Sequence, residues 1–179
     1  MHCRRLPVLV FDPREVVNAN ATPVAPRKTQ LDGGLRLGIL DNSKWNANKL
    51  LRGASSALGE SVTFAAVNYY VKHSFSKDAA PELIEQIARQ NDIVLTAIGD
   101  CGSCCSCCVV KLGLPSAAII TTEFVNETEL TKQAIGMPVL QPVVIDHPVS
   151  SITPVEIECR VAQIKKQAQD VWLGRYADP

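Results

Sequence analysis

The stretch Thr96 to Cys108 puts five of the chain's seven cysteines into eight residues, Cys101 to Cys108, directly after an apolar run that reads as a buried strand. Cysteine packs as a small hydrophobe but reacts as a thiolate, so such a cluster at a strand end asks for a chemical explanation. Cys101 stands where the strand gives way to a predicted helix. There its sulfur would face free backbone N–H groups and the positive end of the helix dipole, which favour the thiolate. Cys104 follows at C-x-x-C spacing, one helical turn on, placed to attack a sulfur adduct on Cys101 and close a disulfide. This reading makes Cys101 the nucleophile and Cys104 the resolving thiol. Gly99 and Gly102 allow a sharp turn and close approach of a ligand, and Asp100, Gly102 and Ser103 belong to the substrate-binding turn, with Asp100 also suited to cap the helix.

The remaining cysteines admit two readings. Cys105 and Cys108 form a second C-x-x-C, Cys104 and Cys107 a third, and on a helix Cys101, Cys104, Cys105 and Cys108 share one face. Cys105, Cys107 and Cys108 each suit helix packing as small hydrophobes. The alternative is a metal-binding or metal-transfer module using Cys101, Cys104, Cys105 and Cys108 for Cu(I), zinc or an iron–sulfur cluster, without turnover. A single helix face presents tetrahedral zinc ligands poorly, and no other cofactor is implied. A third reading is a structural subunit whose cysteine helix packs a partner. Cys3 has no supporting pattern, and Cys159 reads as a helix-packing residue.

Composition narrows the partners. The 179 residues carry 18 basic and 18 acidic side chains, a formal net charge of zero, with no run of like charge. A nucleic-acid or anionic-membrane partner is therefore not expected. No stretch approaches the roughly 18 consecutive apolar residues of a membrane span. The apolar run near the start is broken by Pro7 and ended by Asp12, which argues against a secretory signal. A reducing, cytoplasmic setting is the expectation, and an odd number of crowded cysteines fits redox or metal chemistry better than a disulfide framework. Neither G-x-G-x-x-G after a strand nor G-x-x-x-x-G-K-[ST] occurs, so no standard nucleotide site is expected.

These residues need elements to position them. Residues 1–34 read as an N-terminal arm with a short strand at 6–11, followed by a stretch rich in Pro, Asn and Thr without apolar period. The domain proper is 35–179. Strands are predicted at 35–40, 62–70, 92–98, 115–122 and 139–145, the last at an edge or starting after Pro142. Helices are predicted from about Asn48 to Gly59, from near Asp78 with Pro81 in its first turn, and across the cysteine segment to Lys111. Another should run from Asn126 to Gly136 with Glu129 as a capping-box partner, and the last starts at Thr153 with Pro154 and Glu156. Alternating strands and helices predict one α/β domain, a parallel five-stranded sheet with helices on both faces, flavodoxin- or Rossmann-like. The carboxyl ends of the strands then share one edge, where ligands bind. That edge would gather Asn42, Lys44 and Asn46 as substrate-positioning residues, the cysteine turn, and His147 as an acid or base. His73 and Lys72 are weaker candidates.

The segment Gly99-Asp100-Cys101-Gly102-Ser103-Cys104 resembles the signature of the UGSC-motif family of selenoproteins and their cysteine homologues, with Cys101 where some members carry selenocysteine. Asp41-Asn42-Ser43-Lys44-Trp45-Asn46-Ala47 is similar to the family's DNxKxNA segment, and Gly113-Leu114-Pro115, Phe124 and His147-Pro148 fall in the expected order. The likeness spans roughly residues 35–150. It implies a thiol or selenol redox site, related in style to the selenoprotein subunits of glycine and betaine reductases. Cys105 stands where the family tends to have threonine, and Cys107 and Cys108 are additions. The expected activity is a thiol-dependent oxidoreductase or lyase acting on a small electrophilic molecule or disulfide. A thiol reductant, a partner subunit or a second copy of the chain are the partners it leaves open.

Overall fold

Among the described residues five strands run parallel in the order β2-β1-β3-β4-β5: β1 Leu35–Asp41, β2 Phe64–Val71, β3 Ile93–Gly99, β4 Ser116–Thr121 and β5 Val143–Ile145. The computed structural model describes residues 20–28, 30–99 and 113–175. Four helices among the described residues connect or follow these strands: α1 Ala47–Gly59, α2 Pro81–Gln90, α3 Val125–Ala134 and α4 Pro154–Leu173. The strand order is that of flavodoxin-like doubly wound sheets, and it reverses direction between β1 and β3.

The central strands are apolar because both of their faces are covered. β3 and β4 are buried almost throughout, whereas β2 at one edge alternates. On one face Leu37, Ile39, Leu95 and Ile119 pack with Leu50, Leu51 and Leu58 of α1 and with Ile157, Ile164 and Trp172 of α4. On the other, Leu40, Tyr70 and Val94 meet Ile84 and Ile87 of α2. Trp172 is wholly buried and its indole N–H donates to the Val94 carbonyl at 2.9 Å, tying the end of α4 to β3.

The start signal of α4 forms as predicted. Thr153 accepts from the Glu156 backbone N–H, while the Glu156 carboxylate accepts from the Thr153 N–H at 2.8 Å. The corresponding box at α3 does not form. A 3-10 turn, Thr122–Phe124, winds straight into the helix, so Asn126 lies inside the first turn and Phe124 takes the cap position without a side-chain bond. Glu129 instead pairs at 2.7 Å with the buried Lys132.

The strand after Pro142 is an edge of three residues, shorter than the 139–145 predicted, and its open side is sealed by glutamines of α4. Gln167 accepts from the Val144 N–H at 2.9 Å and donates to the Val144 carbonyl at 2.8 Å; Gln163 accepts from the Asp146 N–H at 2.9 Å. Cys159, expected to pack, lies on the exposed side of α4. Residues 20–28 form neither helix nor strand; the Thr22 N–H donates to Gly136 O at 2.7 Å and the Lys28 N–H to Trp172 O at 2.9 Å, with Ala25 buried beside Met137 and Leu140. Gly136, at φ +72°, admits this approach because a Cβ there would lie 2.2 Å from Asn20 O.

Candidate functional site

The reversal between β1 and β3 opens the crevice where doubly wound sheets bind ligands. Its near wall is the loop from Asp41 to Asn46. Ser43 and Asn46 both hold left-handed backbone, φ +64° and +62°, which few non-glycine residues adopt, so the loop must be over-determined by its contacts. It is. The buried Asp41 carboxylate accepts from the Ser43 N–H at 2.7 Å and from the Tyr69 hydroxyl at 2.6 Å. Ser43 Oγ donates to the Lys72 carbonyl, and Asn46 Nδ2 donates to the carbonyls of Val149 and Ser150 at 2.9 and 3.3 Å.

Asn42 ties this loop to the far wall. Its backbone N–H donates to Ala97 O at 3.1 Å and its Nδ2 to Ile98 O at 2.7 Å, so both atoms grip the last turn of β3. The described chain leaves β3 at Gly99, two residues before Cys101 in the sequence. Gly99 lies against β4 so closely that a Cβ would meet Ile120 Cγ2 at 2.8 Å.

The end of β4 carries a second cluster. Thr121, 1% exposed, has its hydroxyl 3.0 Å from His147 Nδ1. The His147 backbone N–H donates to Thr122 Oγ1 at 3.2 Å, and the Phe124 ring lies 6.0 Å from the imidazole at 52°. The ring is thus contacted on two counts and the backbone held on a third, although the residue itself is exposed. Asp146 turns elsewhere, to Gln163 at 2.7 Å and towards Arg160.

The residues named from sequence therefore divide. Asn42 and Asn46 are buried and structural partners of the loop, and Lys44 between them is half-buried. His147 stands at the same sheet edge, reached through β4. His73 is exposed, and Lys72 is buried with its Nζ donating to Lys77 O. Asp100, Cys101, Gly102, Ser103, Cys104, Cys105, Cys107 and Cys108 lie outside the described residues, as does Cys3. Asp41, Tyr69 and Thr121 were not picked out from sequence. Asp41 carries a signal, a carboxylate closing an apolar strand; Tyr69 and Thr121 look like ordinary strand residues. Tyr69 has its pKa raised, first by burial and then by its hydrogen bond to Asp41, so the phenol stays protonated and remains the donor. The Arg52 guanidinium sits 4.4 Å over its ring. Trp45, at the tip of the loop, is 75% exposed.

Among the described residues no three His, Cys, Asp or Glu side chains converge as a metal site, and no helix is long and apolar enough to cross a membrane. No curated protein matches the sequence. The crystal structure of diflavin flavoprotein A3 from Nostoc sp. is similar over 80% of this chain and 99% of that one, with 6% identity and a TM-score of 0.39. The family model described as the UGSC family matches residues 9–174, a longer stretch than the motifs alone span, and the chain belongs to that family.

Proposed function

We propose that this protein is a thiol-dependent enzyme in which Cys101 attacks a small electrophilic substrate and Cys104 resolves the adduct. The observation that supports the reading is the pair of hydrogen bonds that Asn42 donates to the carbonyls of Ala97 and Ile98, which binds the Asp41-to-Asn46 loop to the end of β3 at the sheet's reversal point, two residues before Cys101 in the sequence. Ligand crevices of doubly wound sheets form there. Lys44 gives the anion contact, Asn42 and Asn46 hold the loop, and His147 offers a ring nitrogen to the reacting group.

The step balances as follows. The Cys101 thiolate forms a bond to the electrophilic atom, whose bond to the leaving group breaks, and the electron pair departs with that group. Cys104 thiolate then attacks the Cys101 sulfur, closing a disulfide; the remainder of the substrate leaves with the electron pair and takes a proton from solvent. The substrate is reduced by two electrons, the dithiol is oxidised, and an external dithiol restores it.

Alkylation of the native protein by iodoacetamide across pH, read residue by residue by mass spectrometry with metal content measured in parallel, tests this. Cys101 is expected to react first, with a midpoint below the ordinary thiol value of about 8.5. Cys101→Ser should lose that fast phase and keep the fold by circular dichroism. Uniform alkylation of all thiols near the ordinary value, or stoichiometric copper, zinc or iron in protein purified under reducing conditions, would overturn the proposal, the latter in favour of a metal module.

A further inference from the structure

The Thr121 hydroxyl is buried and His147 Nδ1, at 3.0 Å, is its hydrogen-bond partner. A hydroxyl carries one proton to give. Were Nδ1 protonated, it would donate to Thr121 Oγ1 and leave the hydroxyl's own proton without an acceptor among the described residues, in a buried position, which is unfavourable. Donation from Thr121 to an unprotonated Nδ1 satisfies both groups, and the ring proton then sits on Nε2. Among the described residues the other contacts leave that atom alone: Thr122 holds the backbone N–H, Phe124 lies beside the ring, and Asp146 is engaged by Gln163.

We infer that Thr121 is a positioning residue that holds His147 as the neutral Nε2–H tautomer, so that His147 offers a hydrogen-bond donor, not a base, at the carboxyl edge of the sheet. This rests on the reading of the site given above and sharpens it. A neutral imidazole N–H does not surrender its proton in the step; it donates a hydrogen bond that strengthens as negative charge develops on the group it faces. The substrate class that fits is an electrophile bearing an acceptor oxygen, carbonyl or carboxylate, beside the atom that Cys101 attacks. The register Gly99 to Ile120 puts Thr121 one residue beyond the last paired position of β3, at the carboxyl edge of the sheet.

Long-range 1H–15N correlation spectra of the full chain, recorded well above the imidazole titration, read the tautomer directly. The His147 signals are assigned by their loss in His147→Asn. The wild type is expected to show the Nε2–H pattern, Thr121→Val to raise the Nδ1–H population several-fold, and Thr121→Ser to restore the wild-type spectrum. A predominant Nδ1–H tautomer in the wild type, or a Thr121→Val spectrum identical to it, would overturn the inference; Thr121→Ala replaces Thr121→Val if the latter does not fold. The experiment needs no turnover. A failed tautomer leaves Cys101 alkylation as it was, and an unreactive Cys101 leaves the tautomer as it was, so the two readings fail separately.

Discussion

Asn46 concentrates two opposed effects in one side chain. Its backbone is left-handed, which costs a non-glycine residue roughly 1–2 kcal/mol, while its amide ties the β1 loop to Val149 and Ser150. Asn46→Ala keeps the strain and loses the bonds, and should destabilise by roughly 2–3 kcal/mol in urea unfolding; Asn46→Gly relieves the strain and should lose about 1 kcal/mol less. At the other end of the sheet, Asp92 accepts from the Arg36 guanidinium at 3.0 and 3.1 Å and from its backbone N–H at 2.8 Å, and the side-chain bond from Arg36 holds its pKa below the usual carboxylate value. A depressed carboxyl contributes stability that is full above the unfolded pKa of about 3.9 and is lost as pH falls through the lower folded value. The stability gap between wild type and Asp92→Asn should therefore stay constant from about pH 7 to 5 and close in acid. The pair lies near the surface, so the gap itself is modest.

Among the elements, α4 acts on both ends of the sheet architecture. Its capping box fixes its start, and Thr153→Ala should cost about 1 kcal/mol, read from the denaturation midpoint at constant slope. Its glutamines close the β5 edge by taking the bonds a sixth strand would make, a means of guarding an edge against pairing with another chain. Gln167→Ala reopens the Val144 N–H and carbonyl. The variant should scatter more light than wild type on refolding at equal concentration, and an unchanged aggregation rate would show that the edge is guarded by its shortness alone. The eight residues of β2 at the opposite edge carry no charge, and Val67 and Val71 are exposed there.

For the whole molecule, the alternation of apolar strands with amphipathic helices was enough to read the parallel sheet, because period and turn residues are local properties. Strand order was not legible. It depends on which crossovers pack together, and only the order β2-β1-β3-β4-β5 locates the crevice between β1 and β3. The site divides in the same way. Asn42, Lys44 and His147 were legible as polar residues at strand ends, but Thr121 and Tyr69 draw their roles from partners 26 and 28 residues away. The start of α3 falls within one residue of the Asn126 expected, but its capping box is absent because a 3-10 turn runs straight into the helix. Gly99→Ala couples fold and site: its Cβ would press on Ile120, so a loss of about 1–3 kcal/mol is expected together with slowed Cys101 alkylation. The two tryptophans divide along the same line, Trp172 sealed in the core and Trp45 open to water on the crevice loop. In fluorescence they become two separate reporters. Acrylamide should quench only the red-edge emission of Trp45 in the native protein, Trp45→Phe should leave a single blue-shifted emitter that follows unfolding, and a ligand entering the crevice should change the first signal while leaving the second still.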